Sequence, residues 1–230
     1  RGPVDLARLG AFLANPVSLE PRSPAHGPRC LPFPGGFLLH TGYPNPGLRS
    51  VLRRYAGRWA RSPLPVVVHL LAQKVDDLAR MARSLEGLEG VLGVELGLPP
   101  EIEPGSEAAL AAAAASGELP VIVRIPMDRA VELAGVLLLP GVAAISLGAP
   151  RGALPGPSGT IVHGRLYGPA LFPQALAAVR ALAQQGIPVI GAGGVYSPGQ
   201  AETMLAVGAL GVQLDAVLWR SGWGKLVGQS

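Results

Sequence analysis

The chain has 230 residues, of which 49% are hydrophobic and 15% are charged. This length and balance predict a single domain with a sizeable core and exclude an extended disordered region. No apolar run reaches the roughly 18 uncharged residues of a membrane span, and the single cysteine, Cys30, excludes an internal disulfide.

The net charge is +4, and the basic residues are scattered along the chain. The densest group is Arg53, Arg54, Arg58 and Arg61, whose spacing is typical of the outer face of a helix. A solvated helix face explains this group better than a nucleic-acid stripe, so we expect neither a nucleic-acid nor a membrane partner. Residues 1–13 lack the layout of a signal peptide, and a cytoplasmic protein is therefore expected.

Apolar strands alternate with amphipathic helices from residue 64 onward. The predicted strands are residues 64–71, 91–96, 120–125, 142–147, 187–191 and 210–214. The predicted helices are residues 75–85, 106–115, 128–138, 172–185 and 198–207, with a further helix at the carboxyl end. Residues 148–169 are rich in glycine and proline. This order predicts a parallel sheet covered by helices. Ser197 is the expected N-cap of one helix, and Gly186 is the expected left-handed residue after another.

A candidate phosphate site lies near the carboxyl end. The strand at 187–191 runs directly into Ala192, Gly193 and Gly194, which expose backbone N–H groups. The next strand should bring residues 208–216 to the same edge, and the segment 164–169 should close over the same ligand. A phosphate site after the last two strands favours a closed barrel over an open Rossmann sheet.

Three segments in this region look like the last third of a dihydroorotate dehydrogenase, namely Gly164-Arg165-Leu166-Tyr167-Gly168-Pro169-Ala170, residues 187–195 and residues 208–214. Upstream, Gly42-Tyr43-Pro44-Asn45-Pro46-Gly47 resembles the Gly-Leu-Pro-Asn-x-Gly stretch of that family. The similarity runs from about Leu9 to Leu218. It implies a single (β/α)₈ TIM barrel that holds FMN and oxidises dihydroorotate in pyrimidine synthesis. The family's first strand is expected to be absent from this sequence.

The family's substrate and base positions are changed here. The asparagine of its motif Glu-Leu-Asn-x-Ser-Cys-Pro-Asn falls at Gly97, and Leu98-Pro99-Pro100 offers no serine or cysteine base. Other family positions also differ: its second-strand lysine falls at Asn15, a substrate asparagine at Leu39, and an Asn-Thr pair at Ala149-Pro150. The lysine beside the flavin falls at Arg124, which keeps a cation there.

The phosphate site implied by the resemblance is altered as well. The Gly-Thr pair after the last strand falls at Asp215-Ala216, and the glycine that follows Gly164 is replaced by Arg165. An aspartate repels a phosphate dianion in a partly buried site. We therefore predict an ion pair between Asp215 and Arg165 that stands in for the phosphate. Gly164, Arg165, Ala192, Gly193, Gly194, Asp215 and Ala216 are, with Arg124, the expected FMN-binding residues.

Two of the four histidines are expected on loops at the catalytic end of the barrel. His40 and His163 are expected there, and His40 joins Arg124 as a candidate catalytic residue. His69 lies in an apolar strand and is expected to pack in the core with a hydrogen-bond partner, whereas His26 suggests no role. No spacing of His, Cys, Asp or Glu predicts a metal site.

Two functions remain open at this stage. The first is a divergent FMN-dependent oxidoreductase with altered chemistry, a small-molecule substrate and a base not yet identified. The second is a non-catalytic relative, a pseudoenzyme that binds neither dihydroorotate nor FMN. A homodimer is expected in either case.

Overall fold

The computed structural model describes residues 9–98 and 105–219. In chain order the strands are β1 (Phe12–Leu13), β2 (Val17–Ser18), β3 (Cys30–Phe33), β4 (Gly36–Leu39), β5 (Val66–Leu71), β6 (Val91–Gly97), β7 (Val121–Pro126), β8 (Val142–Gly148), β9 (Arg151–Pro155), β10 (Ile161–Tyr167), β11 (Val189–Ala192) and β12 (Gly211–Gln213). The helices are α1 (Leu48–Trp59), α2 (Val75–Arg83), α3 (Ser106–Ala114), α4 (Ala130–Leu137), α5 (Phe172–Gln184) and α6 (Pro198–Ala206).

The main sheet is parallel throughout and runs in the order β1-β5-β6-β7-β8-β11-β12. The short strand β2 also pairs with β5, so its eight strands fill seven positions. Helices α2 to α6 connect successive strands and pack against one another and the sheet. Within the described ranges β12 and β1 are the two edges, and no strand joins them.

The core lies between the strands and the surrounding helices because both faces of the strands are buried. On β5, Val66, Val68 and Leu70 belong to the apolar cluster shared with α2 and its neighbours. Successive side chains of a strand point to opposite faces. The intervening His69 therefore faces the inside of the curled sheet, where it is 2% exposed.

A second, antiparallel sheet in the order β3-β4-β10-β9 was not predicted. The glycine- and proline-rich stretch 148–169 forms two of its strands, and the expected loop at 164–169 is largely the end of β10. Gly164 is needed there for close packing, since a Cβ atom on it would lie 2.5 Å from the side chain of Leu38. Phe37 and Tyr167 stack across β4 and β10 with ring centroids 5.7 Å apart.

The predicted ends of the elements agree with the structure to within a few residues. Ser197 caps α6 by accepting a hydrogen bond from the backbone N–H of Gln200 at 3.3 Å, and Gly186 has φ 72° after α5, as predicted. The helix predicted at 128–138 starts as a 3₁₀ turn, Met127–Arg129, and continues as α4. The predicted terminal helix lies mainly outside the described residues. No helix within 9–98 and 105–219 is long and apolar enough to cross a membrane.

Candidate functional site

A buried carboxylate, Glu95 on β6, is the centre of a polar layer inside the curled sheet. Its Oε2 accepts a hydrogen bond from Nδ1 of His69 at 2.6 Å. Its Oε1 accepts from the hydroxyl of Ser146 and from Nε2 of Gln213, each at 2.7 Å. Nη1 of Arg124 lies 3.7 Å from Oε2. Four other strands, β5, β7, β8 and β12, thus direct a polar side chain towards Glu95.

These contacts keep Glu95 ionised although it is fully buried. Burial favours the neutral acid, but the hydrogen bond from His69 and the charge of Arg124 outweigh it and lower the pKa of Glu95 to about 2. Burial lowers the pKa of His69 despite the opposing effect of Glu95. An ionised carboxylate only accepts hydrogen bonds, so a neutral His69 carries its proton on Nδ1 and a lone pair on Nε2.

The Nε2 atom of His69 has no hydrogen-bond partner among the described residues and is buried. It lies beside Gly97 at the end of β6, so closely that a Cβ atom on residue 97 would overlap it. His69 therefore fills the space in which a side chain at position 97 would begin. A large side chain at position 97 would therefore require His69 to move.

A cavity of about 140 Å³ lies at the carboxyl ends of β5 to β8. Its polar lining includes Tyr43, His69, Glu107, Arg124, Asp128, Arg129, Arg151 and Arg165. Its apolar lining includes Leu71, Leu98, Ile125 and Leu133. The carboxyl ends of barrel strands are the usual position of an active site, and this cavity is therefore the candidate functional site.

On one side of the cavity, Arg165 and Tyr43 form a cation–π contact. The Arg165 guanidinium lies 4.2 Å from the centroid of the Tyr43 ring. Tyr43 is held in a left-handed conformation with φ 52°, which is uncommon for a residue other than glycine. Thr41 Oγ1 accepts a hydrogen bond from the Tyr43 N–H at 3.3 Å, and the Asn45 amide donates to the Tyr43 carbonyl at 3.0 Å. The segment after β4 thus fixes the tyrosine against Arg165.

The predicted ion pair between Arg165 and Asp215 is wrong. No ion pair within the described residues joins them, because Arg165 extends from β10 to Tyr43. Burial lowers the pKa of Arg165, while Tyr43 and Tyr167 oppose this effect. The pKa of Asp215 is raised by desolvation, while the positive charge of Arg124 opposes the shift. Arg124, and not Arg165, is therefore the positive charge that lowers the pKa of Asp215.

The expected phosphate turn after β11 is tightly packed. Ala192 is buried, and the two glycines after it have positive φ, 106° at Gly193 and 70° at Gly194. A Cβ atom on Gly193 would lie 2.6 Å from the Met127 methyl carbon, and one on Gly194 would lie 2.7 Å from Cα of Phe172. Gly193 is thus explained by its contact with the turn before α4, and Gly194 by its contact with the start of α5. Ala216 begins the short 3₁₀ turn after β12.

The candidate catalytic residues are separated by the fold. Arg124 lines the central cavity, whereas His40 follows β4 in the antiparallel sheet and does not line it. His40 instead lines a separate surface cavity with His26 and His163, the last of which lies on β10 rather than on a loop. The described residues contain no group of three or more His, Cys, Asp or Glu side chains that could hold a metal ion. His69 has the buried hydrogen-bonded position expected for it.

The sequence also matches known proteins over nearly its whole length. A family model described as dihydroorotate dehydrogenase matches residues 2–224. This chain belongs to the dihydroorotate dehydrogenase family. The catalytic subunit of dihydroorotate dehydrogenase B (NAD(+)) from Desulforudis audaxviator is 31% identical to it over 91% of this chain and 75% of the relative. The protein of the same name from Trichlorobacter lovleyi is 29% identical over 92% of this chain and 76% of the relative.

The fold of this family member agrees with that of a solved structure. A crystal structure of a dihydroorotate dehydrogenase from Eimeria tenella, in complex with ferulenol, has a TM-score of 0.70 and 13% identity. The match covers 92% of this chain and 71% of the other. The predicted α/β barrel fold is therefore confirmed, and identities of 26–31% with the curated relatives agree with a divergent member.

The sequence patterns did not identify three residues of the polar layer, namely Glu95, Ser146 and Gln213. Each is the polar residue of an otherwise apolar strand, as His69 is in β5. Glu95 and Leu96 also match the first two residues of the family motif whose asparagine falls at Gly97. A lone polar residue in the middle of a buried strand was the available signal, because such a group needs a partner inside the protein.

Proposed function

We propose that this member of the dihydroorotate dehydrogenase family has lost the oxidation of dihydroorotate with FMN and retains a barrel with a rebuilt binding site. The observation that carries the proposal is the contact of His69 with Gly97. The family's asparagine contacts the substrate ring through its side chain. With glycine at position 97, that side-chain contact is lost. A ligand in the same place meets an imidazole held by Glu95 instead.

The missing base supports the same proposal. The oxidation of dihydroorotate removes a proton from the substrate ring, and a positioned side chain must accept it. The residue after Gly97 is Leu98, which lines the cavity and cannot accept a proton. Pro99 and Pro100 lie outside the described residues, but neither side chain has an acid–base group.

The size and charge of the site support the loss of FMN. Pockets for molecules of this size offer about 300–1,000 Å³, whereas the central cavity has about 140 Å³. The contact of Arg165 with Tyr43 borders this space and limits the room for a flavin ring. At the phosphate end, the carboxylate of Asp215 follows β12 and would repel a dianion.

A flavoprotein oxidoreductase of pyrimidine biosynthesis is the second candidate. Arg124 favours it, because this residue keeps a positive charge at the position of the family's flavin-contacting lysine and lines the cavity. The names of the curated relatives favour it as well. The two candidates differ in whether the purified protein turns over dihydroorotate when FMN is supplied.

The deciding experiment measures dihydroorotate-dependent reduction of a redox dye by the purified full chain in the presence of excess FMN. The Desulforudis audaxviator relative serves as the positive control in the same assay. The proposal predicts no rate above that of free FMN with dihydroorotate. Saturable turnover by this chain would establish the second candidate and refute the first.

We also propose that the chain works as a homodimer. The relatives are named catalytic subunits, which points to a further, different subunit and does not fix the number of copies of this chain. Light scattering of the purified protein should give about twice the 23.6 kDa of one chain. A mass of one chain at all concentrations would contradict the dimer.

A further inference from the structure

The central cavity holds more positive charge than its own acids neutralise. Four arginines line it, against two acidic residues, Glu107 and Asp128. Arg129 pairs with Glu132 at 2.6 Å, and Arg124 lies 3.7 Å from Glu95. The other two arginines, Arg151 and Arg165, have no carboxylate within 4.0 Å among residues 9–98 and 105–219.

Arg165 is the stronger of these two candidates for binding an anion. Its guanidinium makes no side-chain hydrogen bond within the described part of the chain, and its contact is with the face of the Tyr43 ring. A ring face leaves the edge of the guanidinium and its N–H donors available to a carboxylate. Burial strengthens such a charge-assisted contact, because water competes less well there.

A hydrogen-bond acceptor faces the same cavity region at His69. Glu95 accepts a hydrogen bond from the N–H of Nδ1, which leaves the lone pair of Nε2 without a partner among the described residues in a side chain that is 2% exposed. A buried polar atom that stays unpaired is unfavourable, because it has lost its hydrogen bonds to water. His69 and Gly97 both line the cavity, and the missing side chain at position 97 leaves Nε2 next to it. A ligand with an O–H donor would satisfy this atom.

The size of the cavity limits the ligand. An apolar protein cavity of about 150 Å³ binds benzene, so 140 Å³ suits a molecule of about six non-hydrogen atoms. We propose that the site binds a short 2-hydroxycarboxylate, whose carboxylate contacts Arg165 and whose hydroxyl donates to Nε2 of His69. Its carbon atoms lie against Leu71 and Leu98, which also line the cavity. The inference rests on the proposed function, since a site filled by FMN has no room for this ligand.

The test compares lactate with two analogues by calorimetric titration of the full chain. Propionate lacks the hydroxyl of lactate, and lactamide lacks its charge. We expect lactate to bind about tenfold more tightly than propionate, and lactamide to bind more weakly than either. Equal affinity for lactate and propionate, or no binding of lactate, would overturn the inference.

Two variants assign the contacts, with Arg180→Gln on the exposed side of α5 as the matched control. Arg165→Gln should weaken both lactate and propionate at least about tenfold, because both carry the carboxylate. His69→Asn keeps an N–H donor for Glu95 but lacks the second ring nitrogen. It should lower the affinity for lactate to that for propionate and leave propionate unchanged. Equal losses for the two ligands in His69→Asn would refute the hydroxyl contact.

The inference and the proposed function fail in different ways. A flavin spectrum of the purified protein would defeat the proposed function. A flavin-free protein that does not bind lactate would leave the proposed function intact and defeat only the inference about the ligand.

Discussion

The imidazole of His69 and the α-carbon of Gly97 are so close that residue 97 has no room for a side chain. Gly97→Asn, which restores the family's residue, should therefore lower the free energy of unfolding by about 1–3 kcal/mol in urea denaturation. Adding His69→Ala should remove most of the clash, so that the two changes are not additive. Gly199→Asn is the matched control, because nothing lies within 4 Å of a Cβ atom there. Additive effects of the two changes would contradict the contact.

The buried pair of His69 and Glu95 predicts that acid destabilises the protein in two stages. The pKa of His69 is lowered from 6.5 in the folded state, so only the unfolded chain takes up this proton as the pH falls below 6.5. The pKa of Glu95 falls from 4.5 to about 2 on folding, so its contribution is complete above pH 4.5 and is lost between pH 4.5 and about 2. The second stage is worth on the order of 3 kcal/mol.

Urea unfolding at a series of pH values measures both stages. His69→Asn should remove the first stage, while His26→Asn at an exposed site should leave it in place. A wild-type protein whose stability rises as the pH is lowered from 6.5 to 4 would contradict the neutral state of His69.

The turn after β11 is expected to be sensitive to any side chain at position 194. Gly194→Ala places a Cβ atom 2.7 Å from Cα of Phe172 at a φ of 70°. Both effects oppose folding, and we expect a loss of at least about 2 kcal/mol in the free energy of unfolding. Gly199→Ala in α6, where the space is open, should be neutral or slightly stabilising. A loss no larger than about 0.5 kcal/mol at Gly194 would show that the turn has more room.

The carboxylate of Asp215 is expected to weaken the binding of FMN because it repels the phosphate group. Asp215→Gly removes a carboxylate from the end of β12 and should raise the affinity for FMN at least about tenfold. Riboflavin has no phosphate and should gain little, which makes it the matched ligand in a fluorescence titration. Arg165→Gly should add no phosphate-specific gain, because Arg165 is not paired with Asp215. Equal gains for FMN and riboflavin would show that Asp215 acts on something other than the phosphate.

Much of the fold could be predicted from the sequence because the strands from β5 to β8 are continuous apolar runs. Val66 to Leu71, for example, is buried over nearly its whole length, and the pattern of such strands is strong. The antiparallel sheet could not be predicted in the same way. Strand β10 contains Gly164 and Arg165 and is partly exposed, and its pairing with β4 joins residues far apart in the chain.

The site was predicted less completely than the fold. The glycine at 97 and the arginine at 124 were identified by comparison with the family motif, and both line the cavity. The contact of Gly97 with His69 depends on how β5 and β6 pair, where Leu71 is the register partner of Gly97. The predicted ion pair failed because the sequence does not reveal that β10 directs Arg165 towards Tyr43.

The visible absorption spectrum of the purified full chain, recorded after incubation with excess FMN and removal of unbound flavin, tests the central claim most directly. The small cavity, the contact of Arg165 with Tyr43 and the charge of Asp215 predict a colourless protein. A yellow protein with the bands of oxidised flavin, in a ratio of about one flavin per chain, would contradict the account.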